Sequence, residues 1–221
     1  MFSGYAGKPR AIQCAIRWLL LALALFALPA LAQKTPETPP RTVLVMGDSL
    51  SAAYGMAPAQ GWVALTADRI KTQKPAWRVV NASVSGETTA GGASRIAGEL
   101  QRNKPAVVII ALGANDGLRG LPLAQSRANL EKMIRASQQA GAKVLLVGMR
   151  MPPNLGPDYT RGFEQNFTAL SKQHGTALLP FLLEPIALDR DAFQADNLHP
   201  NARVQPKLRD HVWPALEPLL K

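Results

Sequence analysis

The sequence predicts a three-layer α/β/α sandwich around a five-stranded parallel sheet. Two observations predict it. Short apolar runs, partly β-branched, recur at 43–46, 77–80, 106–112, 143–147 and 177–181. They are apolar at successive residues rather than alternating, the pattern of strands covered on both faces. Longer helix-like segments lie between and after them, at 61–72, 88–102, 123–140, 158–173 and about 202–220. Strands that alternate with helices form a parallel sheet through right-handed crossovers.

Each element has its own signal. The first run, TVLVM, stops at Gly47, and Asp48 and Ser49 come next. The second ends in the polar stretch NASVSGE from Asn81, and the third in GANDG from Gly113. The last helix-like segment contains Pro206 and Pro214. A proline in a first turn is tolerated, but one in mid-helix kinks or breaks it, so a break is expected near Pro214.

The chain before the first run reads as a leader. Lys8, Arg10 and Arg17 precede the apolar run WLLLALALFAL at 18–28, and Ala30-Leu31-Ala32 comes after Pro29. This is the form of a secretory signal peptide over 1–32, with cleavage expected after Ala32 and a Sec route implied by the absence of an Arg-Arg pair. The run is short for a membrane anchor. Residues 33–41, QKTPETPPR, read as a flexible leader, and 42–221 as one domain. The destination is a periplasm or the exterior. The single cysteine, Cys14, lies ahead of the apolar run, so the exported domain has no disulfide and depends on its core.

The chain carries 25 basic and 15 acidic residues, a net charge of +10. Removing 1–32 takes away three of the basic residues and none of the acidic ones, leaving +7. The cations are dispersed, which argues against a nucleic-acid partner and fits transient contact with an anionic membrane surface. A monomer is expected. No H-E-x-x-H, G-x-G-x-x-G or P-loop pattern occurs, so neither a metal nor another cofactor is expected.

Chemistry collects just past the strands. Gly47-Asp48-Ser49, residues 81–87, Gly113 to Gly117 and the later loop Asp196 to Asn201 all fall at carboxyl ends of strands. That edge is where open α/β sheets bind ligands. With GDSLS at 47–51, NASVSGETT at 81–89, LGANDGLRG at 112–120 and DNLHPN at 196–201, in that order, the chain resembles the GDSL (SGNH) hydrolases. Within that family it is most similar to bacterial esterases of the thioesterase, lysophospholipase and arylesterase type. The resemblance implies a flavodoxin-like fold and hydrolysis of small acyl esters, thioesters or lysophospholipids. It implies Ser49 as nucleophile, His199 as general base and Asp196 as the group orienting that base. It also implies an oxyanion hole made by the Ser49 and Gly86 amides and the Asn115 side chain.

The residues support that assignment on physical grounds. Of His174, His199 and His211, only His199 has a carboxylate close by in a loop at this edge. Asp196, three residues earlier, is close enough in a tight turn to accept from the imidazole Nδ1. Pro200 restricts His199 to extended backbone. Gly86 leaves an amide open to substrate. G-x-S-x-G is absent, which separates this chain from the α/β-hydrolases.

Blander roles compete at each position. Ser49 suits a helix N-cap, Asp48 a turn or cap, Asn115 a turn, and Asp196 to His199 a cap before the last segment. His174 and His211 read as structural. GLRGLPL at 117–123 is either an apolar lid formed with Leu118 and Leu121 or a loop tucking both leucines into the core. The stiff stretch at 149–159, with Pro153, is a candidate pocket wall. A polysaccharide or cell-wall O-deacetylase of the same fold, and a non-catalytic binding module, are the competing functions.

Overall fold

The computed structural model describes residues 1–2 and 40–221. Apart from Met1 and Phe2, the signal peptide expected over 1–32 lies outside the described residues, and so do residues 33–39 of the leader. Arg41 is already the first residue of a strand.

Five strands form one parallel sheet: β1 (Arg41–Gly47), β2 (Trp77–Asn81), β3 (Val107–Ala111), β4 (Lys143–Val147) and β5 (Ala177–Leu179). Their order is β2-β1-β3-β4-β5. Register is fixed by pairs such as Val43 with Val79 on one side and with Val107 on the other. The strands match the apolar runs to within two residues at each end. β5 stops at Leu179 because Pro180 has no N–H to offer a neighbouring strand.

Successive side chains leave a strand on opposite faces, and both faces here are apolar. Val43, Val45, Val107, Ile109, Leu145 and Val147 pack into one core, beneath α1 (Trp62–Gln73) and α6 (Gln205–Leu216). Leu44, Met46, Val108, Ile110, Val144 and Leu146 pack into the other, against α2 (Thr89–Asn103), α4 (Leu123–Gln139) and α5 (Pro157–His174). Each fully buried Leu or Ile contributes about 1.5–3 kcal/mol by leaving water. The chain steps from β1 to β2 on one side and then continues from β3 on the other. With right-handed crossovers, that reversal puts α1 and α2 on opposite faces. It also opens a crevice between the carboxyl ends of β1 and β3.

Two features depart from the sequence reading. A short helix, α3 (Ala114–Leu118), forms where the pattern predicts only a turn. The break expected at Pro214 does not occur: α6 runs through it to Leu216 and into the 3-10 turn Glu217–Leu219. The missing N–H leaves the exposed Asp210 without a helical partner for its carbonyl. Buried Leu208, Val212, Trp213 and Leu216 hold the helix against the sheet on both sides of the proline.

Candidate active site

β1 ends in the crevice, and its last residue shapes the turn that carries the serine. A Cβ on Gly47 would lie 2.7 Å from the Ser51 Cβ and 2.8 Å from the Ser83 Oγ, so only glycine lets the chain fold back here. Asp48 closes the turn. Its carboxylate accepts from the Leu50 amide at 3.0 Å, and its carbonyl accepts from the Ser51 and Ala52 amides. Ser49 is therefore on a tight turn and caps no helix; α1 begins only at Trp62, after Gly61. Asp48 is almost fully buried, and burial pushes its carboxyl up to about 6, against the opposing pull of the Leu50 amide and His199.

His199 approaches from the loop after β5. Its Nε2 lies 2.9 Å from the Ser49 Oγ, and its Nδ1 lies 2.6 Å from Asp196 Oδ2. Asp196 Oδ1 also accepts from the Leu198 and His199 amides at 2.9 and 3.0 Å. These bonds hold its carboxyl down at about 2: the His199 amide first, then the imidazole, then the Leu198 amide. Asn197, between them, has φ 55°, a left-handed conformation that asparagine tolerates better than most residues. The loop is closed at its base by a bridge between Phe193 and Pro200, and Gln194 N donates to the His199 carbonyl at 2.8 Å. Asn201, not Asp196, caps the turn that leads into α6.

Two further loops face the serine. Gly86 has φ 80°, and a Cβ placed on it would meet nothing within 4 Å. Among the described residues, neither the Ser49 nor the Gly86 amide donates to another protein group. The Asn115 Nδ2 donates to the Glu87 carbonyl at 3.0 Å, which orients the amide and leaves its second N–H free. Buried Asp116 ties the same two loops together, accepting from the Thr89 amide at 2.8 Å, the Thr89 hydroxyl and the Ser126 hydroxyl. Arg95 holds the Glu87 carboxylate with two nitrogens and donates to the Ala82 carbonyl.

These groups border one cavity of about 620 Å³. Ser49, Gly86, Asn115 and His199 all line it, and so do Leu118 and Pro153. Leu121 is not among the lining residues; its carbonyl instead accepts from the Tyr159 hydroxyl at 2.8 Å. His174 pairs with Glu131 at 3.2 Å and His211 with the Phe181 carbonyl at 2.9 Å, and neither histidine lines the cavity. Among the described residues, no cluster of three His, Cys, Asp or Glu side chains is arranged to hold a metal ion.

Several contributors are not visible in the sequence. Tyr54 packs on the His199 imidazole with ring centroids 4.4 Å apart, and its carbonyl accepts from Gln194 Nε2. Met149, Met151, Phe181, Leu183 and Phe193 form the apolar wall. In sequence Phe181, Leu183 and Phe193 are ordinary core residues, while Met149 and Met151 fall in the stretch 149–159 that reads as a candidate pocket wall.

A hydroxyl, an imidazole and a carboxylate in hydrogen-bonded series beside unpaired amides form a site of the acyl-transfer class. Residues 45–205 match the model of the GDSL-like lipase/acylhydrolase family. The chain belongs to that family and is a carboxylic ester hydrolase. It is 47% identical over 199 residues to Esterase TesA of Pseudomonas aeruginosa, covering 90% of this chain and 99% of that one. It is 37% identical over 179 residues to thioesterase 1/protease 1/lysophospholipase L1 of Escherichia coli, covering 81% of this chain and 85% of that one. The fold superposes with a TM-score of 0.78 on an esterase, EstA, from Pseudoalteromonas sp., solved in a form inhibited by monoethylphosphonate. That match has 39% identity and covers 81% of this chain and 98% of the other.

Proposed function

We propose that the chain is an exported serine esterase that cleaves acyl esters and thioesters through a Ser49–His199–Asp196 triad. The observation that carries this reading is the unbroken series from Ser49 Oγ through His199 to Asp196 at 2.9 and 2.6 Å. His199 Nε2 takes the Ser49 proton as Oγ attacks the acyl carbonyl. The Ser49 and Gly86 amides and the Asn115 Nδ2 receive the oxyanion. His199 then gives its proton to the leaving oxygen or sulfur, the bond to that atom breaks, and an acyl-Ser49 ester remains. Water attacks that ester, passes a proton to His199, and the acid leaves as the serine regains its proton. Asp196 keeps Nδ1 protonated throughout and stabilises the imidazolium.

The apolar wall of the cavity favours an acyl group with a carbon chain over acetyl, and weighs against an O-deacetylase. Relatives named as esterase, thioesterase and lysophospholipase are consistent with this. The test is hydrolysis of p-nitrophenyl esters from acetyl to palmitoyl, beside a folded Ser49→Ala variant. Turnover should peak above acetyl and fall by about 10⁴–10⁶-fold in the variant. Activity surviving Ser49→Ala would sink the triad; a preference for acetyl would revive the deacetylase. Export rests on the leader at 1–32 and its Ala30-Leu31-Ala32 pattern. N-terminal sequencing of the exported product should begin at Gln33, and an intact Met1 in the cytoplasm would refute export.

A further inference from the structure

The large apolar side chains left exposed are not scattered. Apart from Met1 and Phe2, those among the described residues are Tyr54, Val84, Leu118, Leu188 and Leu198. Tyr54, Leu118 and Leu198 line the cavity, while Val84 and Leu188 adjoin the lining residues Ser85 and Ala187. They come from the segments after β1, β2, β3 and β5, all at the carboxyl edge of the sheet, and three of them line the same cavity. Leu188 is fully exposed and the other four are 40–49% exposed. A single exposed leucine is ordinary, but a ring of apolar residues on one edge marks an interaction surface.

Charge identifies the partner. Arg119, Arg150 and Arg190 are exposed on the same edge. Arg150 lines the cavity, and Arg119 reaches the Gly86 carbonyl at 3.3 Å. Arg190 lines a second hollow of about 480 Å³ that shares Ala187, Phe193 and Asn197 with the first. Neither hollow has an Asp or Glu among its lining residues. Some nearby acids are engaged, Asp196 by His199, Asp189 by its own turn and Arg203, and Glu164 by Arg150 at 3.6 Å, while Glu184 and Asp191 stand exposed, so Arg119 and Arg190 carry most of the free positive charge. Apolar tips ringed by guanidinium groups match a layer of anionic headgroups over acyl chains. The leucines would sit below the headgroups and the arginines level with the phosphates. The net charge of +7 over residues 33–221 acts in the same direction.

We infer that the mouth of the cavity docks on an anionic lipid surface, with Leu188 inserted among the acyl chains. Docking would let an amphiphile pass from the layer to Ser49 without crossing open water, a consequence that rests on the esterase reading. The experiment is co-sedimentation of the processed Ser49→Ala protein with vesicles of phosphatidylglycerol and phosphatidylcholine, and of phosphatidylcholine alone. Because this variant hydrolyses nothing, failure to bind and failure of the esterase reading are separate results. The protein should bind the anionic vesicles in low salt and release as salt rises. Adding Leu188→Ser should weaken that binding about tenfold. With Ser49 intact, Leu188→Ser should leave hydrolysis of dissolved p-nitrophenyl acetate unchanged. No binding to the anionic vesicles, equal binding to the neutral ones, or binding indifferent to Leu188→Ser would each overturn the inference. A concentration-dependent dimer that Leu188→Ser dissolves would assign the ring to a second copy instead.

Discussion

Asp48 and Asp196 flank the same serine–histidine pair in opposite surroundings. Asp48 belongs to the turn at the tip of β1, buried under the loops, and burial pushes its carboxyl up to about 6. Asp196 belongs to the loop after β5; it is largely open to water, and three bonds from Leu198 and His199 hold it down at about 2. The sheet positions the nucleophile, through a strand buried on both faces. The base is positioned locally, by an eight-residue loop bonded largely to itself. The difference shows which carboxylate can serve the histidine. A charge in open, well-bonded surroundings stays ionised whenever the imidazolium forms. A buried one is shielded from that role and acts through the shape of its turn.

Asp196→Asn should do the most to erase the contrast. The amide can no longer hold Nδ1–H in place against the serine, and kcat for an ester should fall by about 10²–10⁴-fold with little change in KM. Steady-state kinetics at pH 8 would measure it; a loss below tenfold would mean the local loop alone orients the ring.

The opposite experiment is Asp48→Asn, which keeps the acceptor for the Leu50 amide and removes the charge. The folded protein raises this carboxyl from 3.8 to about 6, so ionisation opposes folding. Stability from this group is full below about pH 3.8 and is lost as pH rises through about 6. Asp48→Asn should therefore stabilise the protein at pH 7 by roughly 2–3 kcal/mol, an advantage that disappears below pH 4. Denaturant melts at the two pH values test it. A variant less stable at pH 7 would mean the charge is held by bonds stronger than the burial it suffers.

Asp196 works in the reverse direction. Its carboxyl is lower in the fold than in the open chain, so its contribution is present above pH 3.8 and is lost as pH falls towards 2.

Gly47→Ala tests the sheet-held end. The added methyl would press on Ser51 and Ser83, and should cost about 1–3 kcal/mol of stability along with most activity. An unchanged melting point would show that the turn has slack. The smallest expected effect is at Tyr54, whose ring and carbonyl join the two regions. Tyr54→Ala should lower kcat about three- to tenfold by loosening the imidazole, while Tyr54→Phe keeps the ring and should restore most of it. Equal losses in both variants would move the effect from the ring to the hydroxyl.

Much of this arrangement is legible in the residues. The five strands can be read because a strand buried on both faces must be apolar along its buried length, and 43–46 and 144–147 are. Ser49, Gly86, Asn115, Asp196 and His199 can be named because their blocks resemble a known family, and the structure brings all five to one crevice. Leu121 reads as a pocket residue beside Leu118, but spacing alone does not show which side chain reaches the cavity. The proline rule misjudges Pro214, because buried Leu208, Val212, Trp213 and Leu216 hold the helix against the sheet on both sides of it.

The order of strands and helices, the polar clusters at strand ends, the apolar run at 18–28 and the lack of any cysteine in 33–221 are all written in the chain itself. They are properties of neighbouring residues, set by backbone sterics and side-chain polarity. Folding alone settles that Tyr54 covers His199, that Asp48 is buried while Asp196 is not, and that Tyr54, Leu118 and Leu198, from three different segments, come to line one cavity. Those depend on residues up to 150 positions apart, as Ser49 and His199 are, meeting across a sheet whose strand order reverses between β1 and β3. Burial, and the charge state that comes with it, is a property of that meeting and not of either residue.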